Sequence, residues 1–425
     1  MKSLGLFLLA IIAVPAAYGQ ALDGPMSPAQ QRISWAQAAI LENGERSQPY
    51  NDLAAAYVRR VRETADTRYY DQAQTALEKS LQISPDNFEA HRTQITILIG
   101  RHEFAKALEL AKAQNKMMPD DVMTYGLVAD ADIELGNYKE AERAAQWMLD
   151  IRPGNVPGLL RGARLRQLFG DSEGAKDFYS QSYQQLPPTQ TEDLAWILTQ
   201  MAGLDLSMGN LAAADKLLQS ALDKFPNYYL AIEAEARLRL AQQQPLEAVK
   251  LLRQRNHDFP TLESQFMLAG ALDAAGQAAE ASASFSEFER AARLQIDNPE
   301  NANAELVRYY LGRGKNPAEA LRIAHIEIDR RHDVETFDAY AWSLYANGEF
   351  QEARKEIASA LAVGVRNADF FYHAGAIAAR LDDGASAARF LNESLQLNPT
   401  AECAGHVREE LEKLRPGAGT SSASL

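Results

Sequence analysis

The chain has 425 residues, with 43 Lys and Arg against 57 Asp and Glu, and a formal net charge of −14. Hydrophobic residues make up 46% of it, which is typical of a folded protein and excludes a disordered or fibrous one. The acidic balance argues against a nucleic-acid partner, because that binding depends on Lys and Arg neutralising phosphates.

The N-terminal segment, residues 1–19, has the features of a cleaved signal peptide. Lys2 supplies a positive charge, residues 4–14 are apolar, and the small residues Ala17 and Gly19 precede the expected cleavage site. The apolar run is shorter than the ~20 residues that a membrane-spanning helix needs, and no Cys follows it to carry a lipid. We therefore expect export to the periplasm or the extracellular space, and no integral membrane segment after cleavage.

Residues 20–46 are expected to cap the start of the folded chain. Ser27 is suited to the N-cap of a helix and Pro28 to its first position, which predicts a helix that extends to Glu42. This helix would cover the exposed side of the first repeat.

A fixed period governs the middle of the chain. Prolines recur 34 residues apart at Pro85, Pro119, Pro153 and Pro187, and again at Pro226 and Pro260. An alanine stands twelve residues before each of these prolines, and the series extends to ten alanines: Ala73, Ala107, Ala141, Ala175, Ala214, Ala248, Ala281, Ala320, Ala353 and Ala387. A period of this length is typical of stacked helix pairs, and no Pro/Gly/Ser-rich linker interrupts it.

Two further positions keep the same phase. Small residues lie twelve before the alanine, at Ala129, Ala163, Ala202, Ala236, Ala269, Ala341 and Gly375, and glycines lie five before it, at Gly136, Gly170, Gly209, Gly276 and Gly348. Small residues let two helices approach closely, glycine permits the left-handed turn that ends the first helix, and proline stops the second.

The segment YGLVADADIELGNYKEAERAAQWMLDIRP, Tyr125 to Pro153, resembles a tetratricopeptide repeat through its small residues and through Gly136, Tyr138 and Ala141. The repeat array is assigned to residues 47–399. The resemblance implies an all-α fold, a right-handed α-solenoid of about ten tandem helix-turn-helix units with a concave groove. We expect each unit to contact only its neighbours in an elongated particle.

The array has local irregularities. The phase alanines are 39 residues apart at two places, which predicts insertions near residues 187–193 and 294–301 that lengthen loops without breaking the stack. Gln243 replaces the turn glycine in the sixth unit.

The C-terminal segment is expected to close the array with an amphipathic, charged capping helix in residues 400–415, followed by a disordered tail, residues 416–425. Cys403, the only cysteine, lies on this helix. A single cysteine excludes an intramolecular disulfide, and we expect an ordinary packed or surface residue.

No pattern of catalytic residues is found. His325, Asp329 and His332 share one helix face, but no second helix supplies a further metal ligand, so a charged surface is the better interpretation. Asp130 and Glu134 are interpreted as a solvated surface pair rather than an acid–base dyad. Nucleophile and phosphate-loop motifs are absent. We predict a protein that is not an enzyme and needs no cofactor.

The first helices of the units would line the concave groove, and their outward faces give the candidate binding residues. The N-terminal half presents charged residues with one aromatic, namely Arg92, Asp130, Arg164, Arg237 and Trp196, and the C-terminal half presents Tyr309, Trp342, Tyr345 and Tyr372. Arginine and aromatic residues dominate protein interfaces, although an aromatic at helical spacing also packs between units. The four C-terminal aromatics are expected to converge on one patch.

These observations predict an exported adaptor that binds a protein or peptide partner in its groove, in envelope assembly or secretion. The Lys and Asn residues with which some members of the family grip a terminal carboxylate have no match in this chain. The alternative is a structural subunit of a larger cell-envelope complex that binds no transient peptide.

Overall fold

The computed structural model describes residues 26–298 and 303–415, so the expected signal peptide and the expected disordered tail lie outside the described residues. Regular secondary structure in this part of the chain is entirely α-helical. No helix in it is long and apolar enough to cross a membrane.

Twenty-two helices follow one another in the described ranges. The first eleven are α1 (Pro28–Glu42), α2 (Gln48–Thr64), α3 (Arg68–Ile83), α4 (Phe88–Gly100), α5 (Phe104–Met117), α6 (Val122–Glu134), α7 (Tyr138–Ile151), α8 (Val156–Leu168), α9 (Ser172–Gln185), α10 (Thr191–Ser207) and α11 (Leu211–Lys224). The others are α12 (Tyr229–Ala241), α13 (Pro245–Arg255), α14 (Leu262–Ala274), α15 (Ala278–Arg293), α16 (Ala304–Leu311), α17 (Pro317–Arg330), α18 (Val334–Ala346), α19 (Phe350–Ala362), α20 (Ala368–Arg380), α21 (Gly384–Leu397) and α22 (Ala404–Lys413).

The helices pair in chain order into ten units, from α2–α3 as unit 1 to α20–α21 as unit 10, with α1 against α2 and α22 against α21. Each of the ten phase alanines lies in the second helix of its unit and is fully buried. Because a side chain larger than a methyl group would push the paired helices apart, the alanines set the helix spacing. The predicted all-α solenoid of helix pairs is confirmed.

The turn inside each unit requires a left-handed residue. The five predicted turn glycines all have positive φ, for example +78° at Gly136 and +73° at Gly276. Gln243 adopts φ +61° at the same position, so unit 6 forms without the glycine. A left-handed conformation at a residue with a Cβ costs about 1–2 kcal/mol, and the packing of that unit offsets it.

The two insertions affect helices as well as loops. In unit 5 the first helix, α10, has 17 residues where most first helices have 13, so part of the insertion extends a helix. In unit 8 the first helix, α16, has only eight residues and follows the long connection after α15. The stack continues through both places.

Distant units touch each other, and the expectation that units contact only their neighbours is wrong. The turn inside a unit meets the loop that follows the unit five positions later. The backbone N–H of Val334, the first residue of unit 9, donates a 2.9 Å hydrogen bond to the Tyr138 hydroxyl of unit 3. Asn398, after unit 10, donates a 3.2 Å hydrogen bond to the Leu206 carbonyl of unit 5.

The seam between these successive turns of the superhelix also has an apolar core. One buried cluster joins Ile133 and Leu168 of units 3 and 4 to Val334, Leu344 and Phe370 of units 9 and 10. Because this cluster continues across the seam, burial of apolar surface holds the two turns together in addition to hydrogen bonds.

Inside the first turn, a group of four charged side chains joins unit 1 to unit 5. Arg59 lies 2.7 Å from Asp193, and Arg62 lies 3.0 Å from Glu192 and 2.9 Å from Asp193. Glu192 is fully buried and also accepts a hydrogen bond from the Tyr228 hydroxyl at 3.2 Å. These contacts join the first helices of units 1 and 5, α2 and α10, across the first turn.

Candidate partner-binding surfaces

An aromatic surface lies on the first helices of units 9 and 10, at the C-terminal end of the array. We call Trp342, Tyr345, Tyr372 and His373 the aromatic cluster. Trp342 stacks on Tyr345 with centroids 4.4 Å apart and on His373 at 4.1 Å, and the Tyr372 ring lies 5.6 Å from Trp342. All four side chains are partly exposed. The structure thus brings together three of the four aromatic residues that the sequence singled out.

Tyr309 lies apart from the aromatic cluster. Its ring packs against Phe285 at 5.8 Å and Phe288 at 6.0 Å, and its hydroxyl donates a 3.0 Å hydrogen bond to Glu289. These contacts connect α15 to the short helix α16, so Tyr309 packs between units. The expected convergence of four aromatics on one patch is wrong for this residue.

The side chains beneath the cluster hold it in place. The His373 Nδ1 atom lies 2.8 Å from a carboxylate oxygen of Asp338, which is buried between α18 and α20. Burial raises the pKa of Tyr372 to about 12, so its hydroxyl keeps its proton at physiological pH. The cluster therefore presents rigid rings together with a phenol that can donate a hydrogen bond.

The charged residues predicted for the N-terminal half do not form one face. Three of them bind a partner in the next unit: Arg92 lies 3.3 Å from Asp121, Arg237 pairs with Glu263, and Asp130 pairs with Arg161. These ion pairs connect neighbouring units along the array. The ring of Trp196 meets the buried Tyr179 edge-on at 6.0 Å and packs between units 4 and 5.

Arg164 instead faces an interior cavity of about 720 Å³. Both turns of the superhelix form its walls, with Glu134 and Arg164 from units 3 and 4 opposite Glu305 and Asp333 from the later turn. The interpretation of Glu134 as a solvated surface residue is wrong, because the next turn covers the face on which it lies. Burial raises the pKa of the Glu134 carboxyl, and the nearby Arg164 guanidinium offsets only part of that effect.

The histidines considered as metal ligands and Cys403 pack against neighbouring side chains. No group of three His, Cys, Asp or Glu side chains in the described ranges is placed to hold a metal ion. The ring of His325 lies against Tyr340, and the ring of His332 against Phe337. Cys403 is buried, and this burial raises the pKa of its thiol to about 12.

Sequence reasoning missed the seam and the cavity. The 34-residue period identifies each unit, but a small rotation from one unit to the next, repeated along the array, decides whether distant units meet. One signal was present in the sequence: a carboxylate, Glu134, stands on a first helix two residues before a turn glycine. That signal alone does not show that another turn covers it.

No protein-family model matches this chain, and no curated protein matches it. Among solved structures it is similar to the APC/C heterotetramer Cut9–Hcn1, at 12% identity over 90% of this chain and 58% of that chain, with a TM-score of 0.45. It is also similar to the human IFIT1 dimer with PPP-AAAA, at 14% identity over 87% of this chain and 86% of that chain, with a TM-score of 0.48. A third similar structure is yeast Tom70, at 15% identity over 90% of this chain and 91% of that chain, with a TM-score of 0.39. Because the sequence identities and TM-scores are this low, the partners and activities of those proteins are not assigned to this chain.

The likeness to tetratricopeptide repeats rests on features of this chain. Ten helix pairs keep one phase, the phase alanines are fully buried, and the turn glycines adopt the left-handed conformation. In these features the all-α array resembles tetratricopeptide repeats.

Proposed function

We propose that this protein is an exported scaffold that binds other proteins and that the aromatic cluster is its main contact surface. The observation that carries the proposal is a stacked, partly exposed group of rings contributed by two successive units. Such rings bury a large area on contact and lose little conformational freedom, because stacking already orders them.

The rim of the cluster is polar, as in many protein interfaces. His406 on α22 lies 6.2 Å from the Tyr372 ring and has a mostly exposed side chain. Glu409 lies on the same capping helix and is also exposed. A partner that places an apolar side chain on the rings would therefore meet hydrogen-bonding groups around them.

The proposed location is the periplasm or the extracellular space, and the proposed process is envelope assembly or secretion. The location is proposed from the charge, apolar run and small residues of segment 1–19, and the process is one that an exported scaffold could serve. Intact mass of the protein from its native host tests this, since export predicts a mature chain that begins at Gln20.

The test of the binding surface is the double variant Trp342→Ala/Tyr345→Ala. If these rings are binding hot spots, affinity for a partner identified by crosslinking in the native host should fall by about 2 kcal/mol or more, which is roughly 30-fold. Trp35→Ala is the matched control, because Trp35 on α1 is 68% exposed and lies outside the cluster.

Melting temperatures are measured on the same variants. The rings also pack between units, and a variant that binds weakly only because it unfolds would show a lower melting temperature. A well-folded double variant with unchanged affinity would exclude the aromatic cluster as the binding surface.

The second candidate function is a structural subunit of a larger cell-envelope complex, without transient peptide binding. The ion pairs of Arg59 and Arg62 with Glu192 and Asp193 favour it. They join the first helices of units 1 and 5, and the resemblance to tetratricopeptide repeats implies that first helices line the groove where a peptide would lie. Co-purification from native membranes separates the two functions. Stoichiometric partners that survive high salt support the subunit, and exchangeable ones support the scaffold.

A further inference from the structure

The interior cavity carries more acid than base. Seven carboxylates and four guanidinium groups line it. Three of the arginines have carboxylate partners in the wall: Arg255 lies 2.7 Å from Glu233, Arg308 lies 2.9 Å from Glu305, and Arg331 lies 3.4 Å from Asp333. The wall is thus a set of ion pairs with an excess of negative charge.

Two of the remaining carboxylates, Glu134 and Glu335, make no ion pair or side-chain hydrogen bond with any other described residue. Glu134 is partly buried between the two turns of the superhelix, whereas Glu335, at the start of α18, is exposed at the edge of the cavity. Arg164 is the cation that most lowers the pKa of Glu134, yet no ion pair joins the two groups. Burying a carboxylate without a bonded cation is costly.

The charged groups that face Glu134 come from three elements. Arg164 lies on α8, Arg331 and Asp333 lie in the loop before α18, and Glu335 lies on α18, while the neutral hydroxyl of Tyr138 comes from α7. Arg331 is already shared between Asp333 and Glu327. Little positive charge is therefore directed at Glu134 itself.

We propose that this cavity binds an extended chain that carries at least two amine or guanidinium groups, one held by Glu134 and one by Glu335. The volume is within the range of small-molecule sites, roughly 300–1,000 Å³, and of the two carboxylates Glu134 is partly buried and Glu335 is exposed. Such a ligand is either a free linear polyamine or a Lys- or Arg-bearing segment of a partner protein. The site is separate from the aromatic cluster and does not depend on the function proposed for it.

Cation binding at Glu134 should depend on pH. A bound cation stabilises the ionised form of Glu134, whose pKa is raised by burial in the free protein. Cation affinity should therefore fall as the pH is lowered through that raised pKa, because the carboxyl must then release a proton on binding.

The test is calorimetric titration of the mature chain at low ionic strength with two probes, spermidine and an end-blocked pentalysine peptide. We expect binding of at least one probe and a loss of affinity of tenfold or more in the double variant Glu134→Gln/Glu335→Gln. The matched control is Glu142→Gln, which removes the same charge from the exposed face of α7 in the same unit as Glu134. Its affinity should stay within twofold of that of the natural sequence.

The outcomes are distinct. Binding of spermidine supports a free polyamine, and binding of the peptide alone supports a partner segment. Failure of both probes to bind, or an equal loss in Glu142→Gln and the cavity variant, would overturn the proposal. Trp342→Ala/Tyr345→Ala should bind the probes as the natural sequence does, so failure of this site and failure of the aromatic cluster can be told apart.

Discussion

Gly136 and Gly170 satisfy two requirements at the scale of the single residue. Each has positive φ, and a Cβ at either position would collide with a backbone carbonyl of the next superhelical turn, that of His332 or of Gly364. Gly276 also has positive φ, at +73°, but a Cβ there would meet no atom within 4 Å. At the turn position of the repeat, a Cβ therefore meets the next superhelical turn in some units and open space in others.

This difference predicts unequal effects of one substitution. Gly276→Ala should cost about 1–2 kcal/mol, the penalty of a left-handed residue with a Cβ. Gly136→Ala should cost clearly more, because the backbone at His332 must also move. Denaturant unfolding of both variants measures the difference, and amide exchange at Val334 locates it. Equal losses, with unchanged exchange at Val334, would contradict a contact across the seam.

A second prediction concerns the charge of Glu134. Because its pKa is raised in the folded state, the folded protein binds the proton more tightly than the unfolded chain, so ionisation destabilises the fold above that pKa. Glu134→Gln should therefore raise the melting temperature at neutral pH, and the gain should shrink as the pH falls toward 4. Glu142→Gln should show no such trend. A gain that does not depend on pH would indicate a packing effect instead.

At the scale of the element, the sequence pattern predicted the helix pairs but not the lengths of all the helices. Ala107 or Ala248 could be placed in the second helix of a unit because a periodic small residue has one role in such a pair. The longer α10 and the eight-residue α16 could not be predicted, since an inserted segment can extend a helix or a loop at similar local cost. Tyr309 was misplaced for that reason, because it lies on α16.

Helix α18 begins at the seam, and its first backbone N–H donates a hydrogen bond to a side chain from another turn of the superhelix. The Asp333 side chain accepts from the backbone N–H groups of Glu335 and Thr336, both at 3.0 Å, and the Tyr138 hydroxyl accepts from that of Val334. The first N–H groups of a helix have no partner within it. Tyr138 therefore acts as an N-terminal cap for a helix about 200 residues further along the chain.

Removing that hydroxyl should weaken the start of α18. Tyr138→Phe leaves a buried N–H without a partner, which costs about 1–3 kcal/mol. Amide exchange should become faster at Val334 and at its neighbours in the first turn of α18. Tyr125→Phe is the control, because Tyr125 is in the same unit and its ring stacks on Trp147 without a described hydrogen bond to its hydroxyl. Equal exchange at Val334 in both variants would mean that the hydroxyl is not an effective cap.

At the scale of the whole molecule, the array closes on itself. The sequence period could not predict this, because the curvature of a solenoid depends on rotations of a few degrees per unit that no local motif encodes. Hydrogen bonds, a shared apolar cluster and the four-residue charged group all connect units that are far apart in the chain. The protein therefore has contacts that can break without unfolding any helix pair.

The charged group inside the first turn is the contact whose loss should change the shape most. Arg62 and Arg59 hold the pKa of Asp193 below its usual range despite burial, whereas burial raises the pKa of Glu192. Removing both arginines leaves two largely buried carboxylates without cations, and breaking a buried pair from one side costs about 3–5 kcal/mol. Moving unit 1 away from unit 5 returns those carboxylates to water, while contacts between neighbouring units stay intact.

Arg59→Ala/Arg62→Ala should therefore open the superhelix rather than unfold it. We expect a larger radius of gyration by small-angle X-ray scattering, with the helical circular-dichroism signal retained. A compact chain of this length has a radius of gyration of about 22 Å. The radius of the variant should exceed this value by more than that of the natural sequence does. Arg143→Ala is the control, because Arg143 pairs with Glu140 on the exposed face of α7, and such surface pairs contribute at most about 1 kcal/mol. An unchanged radius in a folded double variant would show that the apolar seam alone keeps the array closed.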